Sequence, residues 1–269
     1  MEWSNVWLGM ALTVLAGLST GFGGLVVLLM RKTSGKVLSV SLGFSAGVMI
    51  YISFVELLME SRILLIGEIG EIGGSLLTVA AFFCGLLFAG LIDKMVPSYE
   101  NPHESRRLEE MAPSYMAQHK MRLLRTGALT ALIIAIHNFP EGMATFVSTV
   151  QNPALGVAVA AAIAIHNIPE GISVAVPVYC ATNSRRKAFG WTILSGLGEP
   201  LGALLAYLIL MPVLNDTVFG VLFAVVAGIM VYISFDELLP AAKQYGEHHL
   251  ATYGLVAGMI VIAVSLIFI

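Results

Sequence analysis

Charge is scarce in this chain. Asp, Glu, Lys and Arg together make up 12% of its 269 residues, against about a quarter in soluble domains. With 58% hydrophobic residues and a mean hydropathy of +0.88, a soluble fold of this length has too little polar surface to cover its apolar side chains. Cysteine is scarcer still. Cys84 and Cys180 form no CxxC, which excludes a disulfide framework or a thiolate metal finger and leaves two structural thiols. A basic tail and an aromatic-basic patch are both missing, so nucleic acid is not an expected partner. The formal net charge of −3 adds nothing to that. No basic stretch precedes the first apolar run, which begins after Glu2 and is too long for a signal peptide. It is expected to be a membrane span.

What the chain has is long apolar runs. A helical span needs about 20 residues, so seven or eight fit. Runs punctuated by turns and charges predict eight helices, over 6–30, 37–58, 73–92, 124–149, 153–179, 188–212, 215–239 and 251–269. Continuous apolar character without alternation favours helices over a barrel. The expected fold is therefore an all-α membrane protein, one transporter-sized domain over 1–269.

The basic residues orient this map. With the N-terminus outside, Arg31, Lys32, Lys36, Lys94, Arg106, Arg107, Lys120, Arg122, Arg125, Arg185, Arg186, Lys187 and Lys243 lie on the cytoplasmic side. Only Arg62, of 14 Lys and Arg, lies outside. The positive-inside rule then predicts both termini extracytoplasmic, in a multi-pass protein of the cell's inner (plasma) membrane. The loop over 93–123 is cytoplasmic and mobile, and its His103 and His119 show no ligand spacing. His248 and His249 are adjacent, so on a helix they point in different directions.

A repeat crosses the chain. Gly47–Leu58 returns as Gly228–Leu239 with nine of twelve positions identical. On the map above the two copies run in opposite senses. Helices 1–3 and 6–8 are then an inverted repeat, with helices 4 and 5 exchanging. Such repeats are common in transporters, whose sites lie in broken helices near mid-membrane. Glu56 and the pair Asp236–Glu237 fall near opposite faces, where they either attract cations or are ordinary helix-end acids.

The second repeated element is shorter and costlier. His137-Asn138-Phe139-Pro140-Glu141-Gly142 and His166-Asn167-Ile168-Pro169-Glu170-Gly171 lie inside apolar runs. His and Glu four residues apart share a helix face and can reach one ion. Asn138 and Asn167, a quarter-turn around, can serve a neighbouring ion with the same Glu. Pro140 and Pro169 lack an N–H, which frees the carbonyls of Ile136 and Ile165 for a cavity or an ion. Gly198-Glu199-Pro200 places a third acid beside a proline in helix 6. Three carboxylates at depth cost about 3 kcal/mol each, roughly 8–10 in all. A dication offsets that cost directly. Imidazole with carboxylate suits zinc, and also iron, manganese, cobalt and cadmium.

The doubled HNxPEG motif and Ser195-Gly196-Leu197-Gly198-Glu199-Pro200 resemble the ZIP family of metal transporters, the Zrt- and Irt-like proteins, and most nearly its bacterial zinc-uptake branch. The resemblance covers essentially the whole chain. It implies transport of zinc and related divalent ions toward the cytoplasm, the metal being cargo rather than cofactor. It implies a two-metal site: His137, Glu141, His166 and Glu170 on one ion, and Asn138, Glu141, Asn167, Glu170 and Glu199 on the other. Some relatives carry an acid where this chain has Asn138 or Asn167, so its second site has fewer charges. It also implies a homodimer and an elevator-like motion of one helix group against another. Two alternatives use the same residues. A metal-dependent intramembrane hydrolase also buries His and Glu, although there is no HExxH and no evident nucleophile. A cation channel also lines a pore with acids.

Overall fold

The computed structural model describes residues 3–29, 35–95, 120–210, 215–245 and 248–267. All regular structure among them is helical, arranged as eight rods. These are α1 (Trp3–Leu29), α2 (35–69), α3 (Glu71–Met95), α4 (Lys120–Gln151), α5 (Pro153–Thr182), α6 (185–210), α7 (216–245) and α8 (His248–Ser265). Six stretches among the described residues are long and apolar enough to cross a membrane; α8 is apolar but shorter. The core of the expected loop 93–123 lies outside the described residues, as do His103 and His119.

One boundary differs markedly from expectation. The second helix was expected to end at Leu58, yet α2 continues to Ile69 and stops at Gly70. Glu60, Arg62 and Glu68 interrupt the hydropathy but not the helix, because Leu, Met, Glu and Arg are good helix formers. Gly70 ends it with φ of 79°, a conformation a side chain disfavours, and its N–H donates to Ile66 O at 3.0 Å. Arg62 Nε then reaches Ser75 Oγ at 3.3 Å across the turn.

The long repeat is visible as a local distortion. In α2 the helix widens to a π turn at Ser53–Leu57, and in α7 it does so at Ser234–Leu238. Both turns close with an N–H five residues on, Leu58 to Ser53 O and Leu239 to Ser234 O. Ser53 Oγ donates to Met49 O at 2.7 Å and Ser234 Oγ to Met230 O at 2.8 Å. The same serine sits at the same point of the same distortion. Glu56 is partly exposed and Asp236 exposed on these turns; the Glu237 side chain is outside the described set.

The rods pack as two groups of four. In one, α1 lies along α5, α4 lies along α5 and α6, and α1 also packs on α6. In the other, α2 lies along α8 and α3 along α7. The groups meet mainly where α2 crosses α5, with a smaller contact of α4 on α7. Exchanging 1 with 6, 2 with 7, 3 with 8 and 4 with 5 maps this set of pairs onto itself: α1–α5 becomes α4–α6, α2–α8 becomes α3–α7 and α2–α5 becomes α4–α7, while α4–α5 and α1–α6 are unchanged. Within a group the backbones touch. A Cβ on Gly43, Gly47, Gly254 or Gly258 would strike a carbonyl of the facing helix in the α2–α8 pair. Small residues allow this approach where lipid gives no hydrophobic drive between helices. The outer surface is apolar: Ile72, Leu76, Val79, Phe83 and Leu87 stand exposed along α3. Cys84 is on that exposed face too, so it is not a packing thiol; the Cys180 side chain is outside the described residues.

Gly47→Val should therefore lower the thermal midpoint of the detergent-solubilised protein by about 5 °C, through overpacking of roughly 1–3 kcal/mol. Gly67, whose Cβ would meet nothing within 4 Å, should accept Ala without loss. Equal midpoints for the two variants would refute tight α2–α8 packing.

Candidate metal centre

The site is assembled by one short turn and three proline-bearing helices: α4 and α5 run unbroken through Pro140 and Pro169, whereas α6 is interrupted. Asn152 alone separates α4 from α5. Its side chain accepts from Ala154 N at 3.1 Å and Leu155 N at 3.4 Å, and Pro153 opens the next helix. The two rods are thus an antiparallel hairpin. Glu141 stands 11 residues before Asn152 and His166 stands 14 after it, about 16 and 21 Å along the axes, so the two motifs come to similar depth. The third contributor, α6, breaks between Gly196 and Gly198. Pro200 has no N–H for the carbonyl of Gly196. A Cβ on Gly17 of α1 would strike that carbonyl oxygen, so α1 packs directly on the break. On the opposite side Gly142 abuts the Glu199 carbonyl, Gly198 that of Ala135 and Gly202 that of Phe139. Close backbone contact is what brings Glu199 to the α4–α5 hairpin.

Six of the seven expected residues converge. Asn138, His166, Asn167 and Glu199 are 0% exposed, Glu141 1% and Glu170 5%. His166 Nε2 lies 3.3 Å from Glu141 Oε1 and 3.6 Å from Glu170 Oε1, so one imidazole joins α4 to its own helix. Asn167 Nδ2 donates to Ala16 O at 2.9 Å and to Glu199 Oε1, linking α5 to α1 and α6. The Asn138 amide, with its nitrogen turned toward them, donates to Ile134 O at 3.1 Å and Glu170 Oε2 at 3.3 Å. In the other orientation it reaches Ser195 O at 3.5 Å. The seventh residue, His137, has its backbone on α4 four residues before Glu141, but its side chain lies outside the described residues.

Acceptors are left over. Glu199 Oε2 and Asn167 Oδ1 are buried without a hydrogen-bond partner among the described residues, as is His166 Nδ1. A buried lone pair without a donor is expensive unless a cation takes it. The spacing also suits one: ligands about 2.0–2.1 Å from a tetrahedral zinc stand about 3.3–3.4 Å apart, near the two His166 separations. Even so, among the described residues no group of three or more His, Cys, Asp and Glu side chains is arranged to hold a metal ion.

Three contributors gave no signal in the sequence reading. The Ala16 and Ser195 carbonyls are backbone groups, which any residue type supplies. Thr20 sits against the same helices. Its carbonyl abuts Gly171, and its Oγ1, buried and without a partner among the described residues, is 3.2 Å from where a Gly196 Cβ would stand. The run Gly17-Leu18-Ser19-Thr20-Gly21 was the available clue to a close, polar helix–helix contact.

Comparison with known proteins gives one answer. Residues 93–266 match the family described as ZIP Zinc transporter. The chain is 54% identical over 266 residues to the zinc transporter ZupT of Chlorobium chlorochromatii, covering 98% of each chain. It is 53% identical over 256 residues to the zinc transporter ZupT of Streptococcus mutans, covering 95% of each. It is likewise 53% identical to that of Oceanobacillus iheyensis over 263 residues and 98% of each. With both acid-bearing motifs inside the matched segment and the likeness running nearly end to end, this chain belongs to the ZIP family of zinc transporters and is of the ZupT type.

Proposed function

We propose that the protein carries zinc, and with it iron, manganese, cobalt and cadmium, across the plasma membrane toward the cytoplasm by alternating access. The observation that carries this reading is the dry meeting of Glu141, Glu170 and Glu199 around His166 and Asn167. Charged groups at membrane depth are retained where an ion needs them. His137, Glu141, His166 and Glu170 hold one ion; Asn138, Glu141, Asn167, Glu170 and Glu199 hold the second, with Glu141 and Glu170 bridging. The site carries no thiolate, so zinc competes with other borderline dications instead of excluding them.

The helix grouping supports the mechanism. All six described site residues belong to α4, α5 and α6, in the group closed by α1. We assign α2, α3, α7 and α8 as the frame against which that group slides. The exchange that maps the set of packing pairs onto itself supports eight spans built as an inverted repeat. The positive-inside count supports extracytoplasmic termini. The exposed face of α3 offers area for a second copy in a homodimer. A family of transporters sets the hydrolase aside, and burial of the ligands to 5% exposure or less fits an occluding carrier better than an open channel.

Purified protein in liposomes should accumulate zinc, with iron, manganese, cobalt and cadmium competing. Glu141→Ala and Glu170→Ala should each reduce uptake to the level of empty vesicles while the protein stays in the bilayer. Full-rate uptake by either variant would remove the bridging carboxylates from the mechanism. Asn138→Ala should reorder the preference among the five metals more than it lowers the thermal midpoint. An unchanged order would leave the second ion without support.

A further inference from the structure

Among the described residues most buried hydroxyls donate within their own helix: Ser19, Thr192 and Ser195 do so to the carbonyl three residues earlier. Thr13, Ser53, Thr78, Thr149 and Ser234 donate to the carbonyl four residues earlier on their own helix, at 2.6–2.9 Å. That is the usual resting place of a hydroxyl in an apolar helix. Thr145 and Ser148 on α4 do otherwise. Both are 0% exposed, and neither hydroxyl has a partner among the described residues. Gln151, which ends α4, has its Oε1 buried in the same condition. Thr20, Ser39, Ser45 and Ser61 are also unpartnered, but they are scattered over α1 and α2.

Position distinguishes the α4 set. Thr145, Ser148 and Gln151 stand 4, 7 and 10 residues beyond Glu141, which keeps them on its side of the helix. They extend about 15 Å from it, half the hydrocarbon thickness. On the map fixed by the basic residues this is the outer half of α4. On α5 the position corresponding to Thr145 is apolar. Four residues beyond Glu170 is Val174, fully buried. It forms a small cluster of its own with Ala131 and Ile134, against which Trp191 packs. The acids thus have a file of oxygens on one side and a hydrocarbon plug on the other.

We infer that the α4 face from Glu141 to Gln151 is the outer half of the ion's route. Thr145 Oγ1, Ser148 Oγ and Gln151 Oε1 replace waters of a hydrated dication in turn, while the Val174 cluster seals the inner half. Neutral oxygens suit this task, because they substitute for hydration without holding the ion as a carboxylate does. The inference rests on the proposed zinc transport and adds to it which residues hand the ion to the acids.

Thr145→Val keeps the shape and removes the oxygen; Ser148→Ala removes the other. With zinc supplied outside intact cells, each should slow initial uptake about tenfold, the factor for one lost ion–oxygen contact of hydrogen-bond strength. Equilibrium zinc binding to the solubilised protein should change by less than about twofold, since the acids remain, and Thr145→Ser should restore the rate. Separately, Ser148→Cys in a Cys84→Ala, Cys180→Ala background should react with an impermeant thiol reagent applied outside, and zinc should protect it. Full-rate uptake by the Thr145→Val, Ser148→Ala double variant overturns the route. So does a Ser148→Cys thiol that ignores the reagent or reacts alike with and without zinc. Glu141→Ala separates the two readings. If it is inactive while the double variant runs normally, only this route fails. If it too transports normally, the zinc site itself is wrong.

Discussion

The structure depends on keeping three carboxylates out of both water and lipid. Glu141, Glu170 and Glu199 occupy three different helices and none is more than 5% exposed. In a medium this dry, like charges repel strongly and each acid has lost its hydration. What offsets this is local: one imidazole shared by two acids, one amide donated to the third, and a second amide within reach of Glu170. These groups reach one another only because the backbones come unusually near. Gly142, Gly198 and Gly202 take side-chain bulk out of the α4–α6 contact, and Gly17 does so against the carbonyl that Pro200 leaves free. The break in α6 and the glycines serve the same end, the meeting of charged side chains in a space without solvent.

That constraint also explains why the molecule divides as it does. A pocket held by contacts between backbones tolerates little internal deformation, so on the proposed mechanism α1, α4, α5 and α6 would move as a unit. The second group is built the same way, with the α2–α8 contact lined by glycines. The seam between the groups is narrower, chiefly α2 on α5. This division fits the proposed displacement of one group against the other, because packed helices shift as wholes. The paired π turns lie in α2 and α7, the two helices through which the second group touches the first.

How much of this was legible in the amino-acid order varies with the physics involved. Helix positions were legible because lipid imposes a length and a polarity on each run. The end of α2 was not, because hydropathy reports transfer into lipid while helicity also persists through Glu60, Arg62 and Glu68. The burial of Asn138, Glu141, Asn167 and Glu170 was legible from a motif placed twice where charge is costly, and that of Glu199 from a third acid beside a proline. Their backbone partners were not: the Ala16 and Ser195 carbonyls carry no residue signature. The π turns had no advance signal either, although the repeated Ser-Phe-x-Glu-Leu marked where to look. The expected roles of His137, Glu237 and the loop histidines concern side chains outside the described residues.

The two asparagines decide how firmly a proposed cargo would be held. If all three acids are ionised, the pocket carries three negative charges; one dication leaves a net −1, and two leave +1. Replacing Asn138 and Asn167 by acids would make the empty pocket −5, and even two dications would leave it −1. At low effective dielectric, each extra unit of attraction slows release far more than it does in water. Neutral amides still offer oxygens to the ion, as the unpartnered Asn167 Oδ1 does, without adding to the charge it must escape. A carrier must bind well enough to select its ion and weakly enough to let it go. On the proposed ligand assignment, amides at these two places put this chain toward faster release and broader metal choice than a relative with acids there.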